Sequence, residues 1–118
     1  MKIQLKENQK GKNLIHSKHY TVISMEFISH INKPLSIFMR IVSEDGIPAL
    51  YNKNIFKIIN SKIGNDYVYK ENSEESFELV PEIMSYKGFW DNFFDVEEKA
   101  INIFKERFPE YKNKLFYK

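Results

Sequence analysis

The sequence predicts an α+β fold in which a mostly antiparallel sheet packs against a C-terminal helix. About five or six segments of strand character fall within residues 20–80, and an amphipathic helical pattern covers about residues 95–108. Strands and helices do not alternate along the chain, which argues against a parallel nucleotide-binding sheet. A chain of 118 residues suits one domain, spanning 1–118.

The first third of the chain predicts a hairpin preceded by an edge strand or an arm. Residues 1–19 are rich in Lys and Asn, with a brief apolar–polar alternation near their start. Residues 20–29 are dense in β-branched and aromatic side chains, and residues 35–43 alternate apolar and polar positions. Pro34 separates these two segments because proline lacks a backbone donor, so we expect an antiparallel hairpin.

The middle of the chain predicts further short strands. Gly46 marks a turn, and Pro48 in the next segment favours an edge strand because proline interrupts strand hydrogen bonding. Residues 55–59 are too few for periodicity to distinguish a strand from a helical turn. Within residues 66–80, apolar and polar positions alternate on both sides of a polar turn. This pattern predicts a second hairpin, which Pro81 ends.

An aromatic cluster and a helix are predicted next. The cluster consists of Phe89, Trp90, Phe93 and Phe94. We interpret it as a plug at the junction of sheet and helix, with an exposed protein-binding anchor as the competing interpretation. Asp95 has the position of a helix N-cap, Glu98 that of its capping-box partner, and Pro109 ends the helix. Residues 109–118 form a basic and aromatic tail.

Charge is distributed unevenly within a nearly neutral chain. The 18 Lys and Arg residues and 16 Asp and Glu residues give a net charge of +2. Residues 71–98 hold nine acidic residues and one Lys, a net −8, so the other 90 residues carry +10. An acidic surface built from this segment would attract a basic protein and repel nucleic acid. The alternative is a solvated acidic face without a binding role.

Several chemistries have no support in the sequence. The chain has no Cys, which removes disulfides and thiolate chemistry and suits a reducing, cytoplasmic location. His16 and His19 lie in a Lys-rich segment without further ligands, so we expect no metal and no cofactor. No nucleophile elbow, phosphate-binding loop or dinucleotide fingerprint is present. No apolar run approaches the ~20 residues of a membrane helix, so we expect no membrane partner.

The chain resembles the small immunity proteins encoded beside bacterial polymorphic and contact-dependent growth-inhibition toxins. The resemblance rests on a single Cys-free domain, a composition rich in Lys, Asn and Ile, the lack of a catalytic set and the acidic segment. Locally, Asp45–Tyr51, Leu79–Pro81 and Gly88–Asp95 are similar to a group of small bacterial proteins with this pattern of turns and packing aromatics. The resemblance implies a protein that neutralises a toxin by covering its active site, often with an acidic surface against a basic nuclease.

The leading hypothesis is therefore an immunity protein, and not an enzyme, that blocks the substrate site of a cognate toxin domain. Its predicted contact residues are Glu71, Glu74, Glu75, Glu78, Asp91, Trp90 and Tyr69. We expect a monomer or a weak homodimer. Two alternatives stay open. One is a small hydrolase that uses carboxylates from residues 71–98 in a concave pocket, and the other is a structural or regulatory protein that dimerises through a strand edge or the aromatic cluster.

Overall fold

The chain folds into two antiparallel β-sheets and two α-helices, which confirms the predicted α+β class. This computed structural model describes residues 1–117. The strands are β1 (Lys2–Leu5), β2 (Tyr20–Thr21), β3 (Ser24–Ile28), β4 (Ser36–Val42), β5 (Pro48–Asn52), β6 (Phe56–Asn60), β7 (Tyr67–Ser73) and β8 (Ser76–Pro81). The helices are α1 (Phe89–Phe94) and α2 (Glu98–Arg107), and short 3₁₀ turns cover Lys53–Ile55, Glu82–Met84 and Pro109–Tyr111.

The larger sheet has the strand order β5-β4-β3-β8-β7 and contains both predicted hairpins. β3 pairs with β4, where Phe27 lies opposite Ile37, and β7 pairs with β8. The two hairpins join through β3 and β8, where Phe27 lies opposite Phe77. β5 begins with Pro48 and lies at the sheet edge, as predicted. Proline has no backbone N–H to donate, so it suits a strand that is paired on one side only.

The smaller sheet has the order β2-β1-β6, so the N-terminal strand lies in its middle. Ile3 and Leu5 are almost fully buried, and β1 has hydrogen-bonded neighbours on both sides. The prediction of an edge strand or arm for residues 1–19 is therefore wrong for β1, because both of its partners come from later in the chain. Residues 55–59, which the sequence leaves ambiguous, complete a 3₁₀ turn and enter strand β6.

Residues 20–29, predicted as one strand, are divided between the two sheets. β2 pairs with β1 in the smaller sheet, and β3 belongs to the larger one. The connecting residues Val22 and Ile23 are buried, and the Tyr67 hydroxyl donates to their carbonyls at 3.1 and 2.9 Å. Burial raises the pKa of Tyr67 to about 12, so the hydroxyl keeps the proton that it donates. The Tyr67 hydroxyl thus provides a partner for two buried carbonyl groups at the point where the chain passes from the smaller sheet to the larger one.

Both faces of the larger sheet are covered, which gives three layers and two hydrophobic cores. The core between the sheets contains Ile3, Leu5, Tyr20, Val22, Met39, Ile41 and Phe56. The core under the helices contains Ile23, Val42, Val80, Met84, Phe89, Phe93, Ala100, Ile101, Phe104 and Phe108. Alternation along β4 directs Arg40 toward the helical layer, where it is only 7% exposed. The sequence predicts the helical layer alone, so the second covering layer is a finding of the structure.

Two helices, rather than one, follow β8. Asp95 ends α1, with its amide donating to the Asp91 carbonyl at 3.0 Å, and α2 begins at Glu98. The predicted N-cap role of Asp95 is therefore wrong, and so is the start of the helix predicted for residues 95–108. Val96 has φ +57°, a left-handed conformation that ends α1 and redirects the chain into α2. Pro109 follows the end of α2, as predicted.

The C-terminal segment, residues 109–117, docks onto the helical core. The Phe116 amide donates to the Gly46 carbonyl at 3.0 Å, and neighbouring apolar side chains pack against buried residues. Gly46 has φ +79°, and a Cβ at this position would collide with the Lys114 carbonyl oxygen. Glycine is therefore required by both the backbone conformation and the close approach of the segment. Lys118, the last residue of the predicted tail, lies outside the described residues.

Candidate functional site

The seven predicted contact residues divide into two groups on opposite sides of the larger sheet. One group, at or beside the β7–β8 turn, is Tyr69, Glu71, Glu74 and Glu75, and all four are exposed. The other group, on the helical side, is Glu78, Trp90 and Asp91. Glu78 is only 2% exposed and cannot join an outer acidic surface. The division arises because successive residues of a strand point to opposite faces of the sheet.

Two turns lie side by side at one end of the larger sheet, and we call this region the hairpin end (residues 29–35 and 71–76). The pairing of β3 with β8 brings the β3–β4 turn next to the β7–β8 turn. The Ser29 amide donates to the Glu75 carbonyl at 2.7 Å, and Nδ1 of His30 lies 3.3 Å from Oε2 of Glu75. These contacts hold the two turns together as one surface.

The hairpin end exposes apolar and acidic side chains together. Ile31 is 84% exposed and Leu35 is 50% exposed on the β3–β4 turn. The exposed carboxylates of the adjoining β7–β8 hairpin are Glu71, Glu74 and Glu75. Lys33 carries the opposing charge in these two segments, so the hairpin end has a net charge of −2 when His30 is neutral. The whole chain, by contrast, carries +2.

Beside the hairpin end, three aromatic rings form a stripe across β3, β8 and β7. Phe27 and Phe77 stack with 4.7 Å between ring centroids and 5° between ring planes, and Tyr69 lies 4.5 Å from Phe77. Phe27 and Phe77 are half-buried, whereas Tyr69 is 60% exposed. Glu71 lies opposite Phe77 in the strand register, so a carboxylate borders this aromatic stripe.

On the opposite face, a cleft of about 180 Å³ lies between the larger sheet and α1. We call it the charged cleft, and its walls include Glu26, Arg40, Lys70, Glu78, Trp90 and Asp91. The strand register places Glu26 directly opposite Glu78, and such a pair of like charges is unfavourable by itself. Two cations offset it. Nη2 of Arg40 lies 3.4 Å from Oε1 of Glu26, and Nζ of Lys70 lies 3.6 Å from Oε1 of Glu78.

Arg40 connects the sheet to α1 across this cleft. Its Nη1 donates to the Pro48 carbonyl at 2.8 Å, and its guanidinium carbon lies 4.2 Å from the centroid of the Trp90 ring. Burial lowers the pKa of the Arg40 guanidinium, while the charges of Glu26 and Glu78 oppose that change. Because arginine stays protonated in proteins, the cleft contains a permanent positive charge.

Three of the four residues of the aromatic cluster pack at the junction of sheet and helices, the arrangement that the sequence favours, whereas Phe94 is 40% exposed. Phe89 and Phe93 are at most 1% exposed, and both belong to the core under the helices. Trp90 is half-buried and packs on Phe89, Phe93 and the Arg40 guanidinium. Trp90 is therefore a wall of the charged cleft and not a projecting anchor.

Three polar atoms of the residues lining the charged cleft are buried and receive no hydrogen bond partner from residues 1–117. They are Oε2 of Glu78, Nε of Arg40 and Nε1 of Trp90. Each of them is closed off from solvent, so these atoms lie behind the walls of the cleft and are not open to a ligand in it. Nζ of Lys70 donates to the Tyr86 carbonyl at 3.1 Å and lies 3.6 Å from Oε1 of Glu78, so it balances the charge of that carboxylate while Oε2 has no hydrogen bond partner.

Sequence reasoning missed several residues of these two sites, among them Phe27, Phe77, Glu26 and Arg40. The alternation along the strand places Phe27 and Glu26 on opposite faces of the sheet, but it does not predict which strand pairs with theirs. Only the pairing of β3 with β8, which are distant in sequence, forms the aromatic stripe and the opposed carboxylates. The local signals for the cleft are Glu26 and Arg40, each the one charged residue of its strand.

No family model, curated protein or solved structure matches the chain. Within residues 1–117, no helix is long and apolar enough to cross a membrane. In the same residues, no group of three or more metal-ligating side chains is placed to hold a metal ion. The geometry defines a three-layer α+β protein with two candidate sites, the hairpin end with its aromatic stripe and the charged cleft.

Proposed function

We propose that this protein is an immunity protein that binds a basic, nuclease-type toxin domain and covers its substrate site. The observation that carries the proposal is the aromatic stripe bordered by exposed carboxylates at the hairpin end. Protein interfaces gain affinity from apolar and aromatic contacts at their centre and specificity from polar groups around them. A surface of this kind attracts a positively charged domain and competes with phosphate for it.

Tyr69 is the proposed anchor of this interface. Tyr69 is 60% exposed, and its ring centroid lies 4.5 Å from that of Phe77, which stacks in turn on Phe27. A ring held in place before binding loses little conformational entropy when a partner covers it. Ile31 and Leu35 on the adjoining turn extend the apolar area that a partner would bury.

The local charge supports a basic partner. The hairpin end carries −2 with His30 neutral, although the chain as a whole carries +2. A patch whose charge opposes that of the whole molecule orients the protein as it approaches a basic domain. Association through this patch is therefore expected to be fast and to slow as salt is added.

The test uses the C-terminal domain encoded by the gene immediately upstream as the binding partner. Reversing two charges with Glu74→Lys and Glu75→Lys should slow association with that domain by about tenfold at low salt. The matched control is Glu7→Lys with Glu106→Lys, which changes net charge equally at two exposed positions on other elements. The control should associate within about twofold of the unchanged protein.

A second variant examines the apolar part of the interface. Tyr69→Ala should leave the association rate nearly unchanged and speed dissociation by about tenfold or more, because an anchor acts after encounter. Normal binding by both the Tyr69 variant and the double charge reversal would place the interface elsewhere. Failure of the unchanged protein to bind or inhibit the upstream domain would overturn the proposed function.

A further inference from the structure

We propose that the open edge of β6 binds an extended segment of a protein partner in which acidic and apolar residues alternate. β6 (Phe56–Asn60) is the last strand of the smaller sheet, and within residues 1–117 it pairs on one side only, with β1. An unpaired strand edge is a template for another strand, because its backbone donors and acceptors face outward. This edge lies on a different sheet from the hairpin end and goes beyond the proposed immunity function.

The hydrogen bonds of β1 show which backbone groups of β6 face the open edge. The Val22 amide donates to the Met1 carbonyl at 2.9 Å, so Met1 is turned toward the β2 side of its strand. Backbone groups of an antiparallel strand alternate between its two neighbours, so Ile3 is turned toward β2 as well. Ile58 lies opposite Ile3 in the register, and its amide and carbonyl therefore point away from β1.

A hydrogen bond at the start of β6 leads to the same assignment. The Lys6 amide donates to the Ile55 carbonyl at 3.0 Å, so alternation turns Phe56 and Ile58 away from β1. The Phe56 amide accordingly donates to the Lys53 carbonyl within the 3₁₀ turn. The groups open to an added strand are therefore the Phe56 carbonyl and both backbone groups of Ile58.

The side chains of β6 define the pattern that an added strand must carry. Ile58 is 48% exposed and shares a face of the smaller sheet with Ile3, whereas Lys57 is exposed and shares the opposite face with Gln4. Side chains on neighbouring strands contact each other when they share a face. An added strand therefore gains most when an apolar residue lies beside Ile58 and an acidic residue lies beside Lys57, which requires alternation along the segment.

The charge around this edge favours an acidic partner over a second copy of the chain. Residues 53–63 hold three Lys and no Asp or Glu, a net +3. None of Lys53, Lys57 and Lys62 forms an ion pair within the described residues. Two copies of β6 would bring +3 against +3, and lysines at a strand edge are a common protection against such self-pairing. A strand that carries carboxylates replaces this repulsion with attraction.

A β-bulge limits the length of the docked segment. The register passes from Ile3 opposite Ile58 to Lys2 opposite Asn60, so Ile59 has no partner in β1. A bulge bends and twists its strand, which ends the regular edge at this point. A segment of about six residues centred on Ile58 therefore covers the regular part of the edge.

The experiment uses the peptide Val-Glu-Val-Glu-Val-Glu, blocked at both ends, labelled, and followed by fluorescence anisotropy with the full chain at low salt. One control peptide has the same composition in the order Val-Val-Val-Glu-Glu-Glu, and another has every backbone nitrogen methylated. The alternating peptide should bind saturably, and each control should bind at least about tenfold more weakly, because one loses the matched faces and the other the hydrogen bonds. Equal binding of all three, or no binding of the alternating peptide, would overturn the proposal.

Charge variants test whether the lysines at this edge select the peptide. Lys57→Glu with Lys62→Glu should weaken binding of the alternating peptide by about tenfold or more at low salt. The matched control is Lys87→Glu with Lys112→Glu, which changes net charge equally at two exposed positions away from β6. The control should bind within about twofold of the unchanged protein, and equal binding by the two double variants contradicts the proposal.

Backbone measurements test whether the peptide adds to β6 as a strand. The Ile58 amide should exchange its hydrogen at least about tenfold more slowly when the alternating peptide is saturating, because a carbonyl of the peptide then accepts it. Ile58→Pro removes this donor without removing a bond to β1, and it should weaken binding by about tenfold or more. Saturable binding with unchanged exchange at Ile58 would overturn the proposal. If the proline variant does not fold, the exchange measurement decides.

Two further outcomes separate this edge from a dimer contact and from the hairpin end. A dimer in light scattering that the alternating peptide dissociates would make a second copy the occupant of the edge and overturn the proposal. The Tyr69→Ala variant should bind the alternating peptide normally, and the Lys57 and Lys62 double variant should still bind the upstream domain. Failure of the edge proposal is therefore distinguishable from failure of the proposed function.

Discussion

The Arg40 guanidinium carbon lies 4.2 Å from the centroid of the Trp90 ring, and this contact joins the larger sheet to the first turn of α1. The same guanidinium lies 3.4 Å from Glu26 and donates to the Pro48 carbonyl. One side chain thus serves packing, charge balance and backbone hydrogen bonding. Removing it is costly because the groups that it satisfies stay in place.

Replacing Arg40 with Met should destabilise the protein strongly. Met keeps much of the side-chain volume but removes the charge that offsets Glu26 and Glu78. We expect the free energy of unfolding to fall by roughly 3–5 kcal/mol, measured by urea denaturation. Adding Glu26→Gln to the Arg40 variant should restore part of the loss. Equal stability of the single and double variants would contradict the charge-balance explanation.

Asp66 and Arg107 form a two-point ion pair between the start of β7 and the end of α2. Nε of Arg107 lies 2.6 Å from Oδ2 of Asp66, and Nη2 lies 3.0 Å from Oδ1. The hydrogen bonds from Arg107 lower the pKa of Asp66 below its ordinary value of 3.8. A carboxyl group whose pKa is lowered on folding adds stability above its unfolded-state pKa. That stability is lost as the pH falls through the folded-state pKa.

Substituting Asp66 by Asn should therefore have an effect that depends on pH. Because the pair is partly exposed, the variant should lose about 1 kcal/mol or less at neutral pH. The difference from the unchanged protein should shrink as the pH falls below 3.8 and the native carboxyl group becomes protonated. Thermal denaturation between neutral and acidic pH measures this, and a difference that is constant with pH would refute the assignment.

Gly46 and Gly88 allow a matched test of the C-terminal docking contact. Both have positive φ, +79° and +83°, but a Cβ at Gly88 meets nothing within 4 Å, whereas one at Gly46 meets Lys114 and Phe116. Each alanine variant should lose about 1–2 kcal/mol of stability from the backbone conformation. Only Gly46→Ala should also release residues 109–117, seen as faster hydrogen exchange in that segment. Equal exchange in both variants would show that the close approach is unimportant.

Val96 offers a route to greater stability. It is 43% exposed and has φ +57°, which is strained for a β-branched residue. Val96→Gly should raise the free energy of unfolding by about 0.5–1 kcal/mol, because glycine adopts this conformation without a steric clash. Val96→Ala, which removes the branching but keeps a Cβ, should gain less, and chemical denaturation distinguishes the two. A loss of stability in the glycine variant would contradict this account.

Much of the local structure could be predicted from the sequence. Alternation and turn residues predict both hairpins, Pro48 indicates an edge strand, and Pro109 marks the end of α2. The helical pattern also predicts a C-terminal helix but places its start at Asp95, which ends α1 instead. The local sequence does not distinguish the two cases, because Asp is common in turns at both the beginning and the end of helices. The left-handed conformation of Val96, which separates the two helices, is visible only in the structure.

The sequence by itself determined the fold class, the two hairpins and the unequal distribution of charge, because these follow from neighbouring residues. Only the tertiary structure decided that β1 lies inside its sheet, that the larger sheet is covered on both faces, and that Glu78 is buried while Glu74 is exposed. The reason is that the pairing of β3 with β8 and the second covering layer depend on residues far apart in the chain. One acidic segment therefore contributes to two different sites.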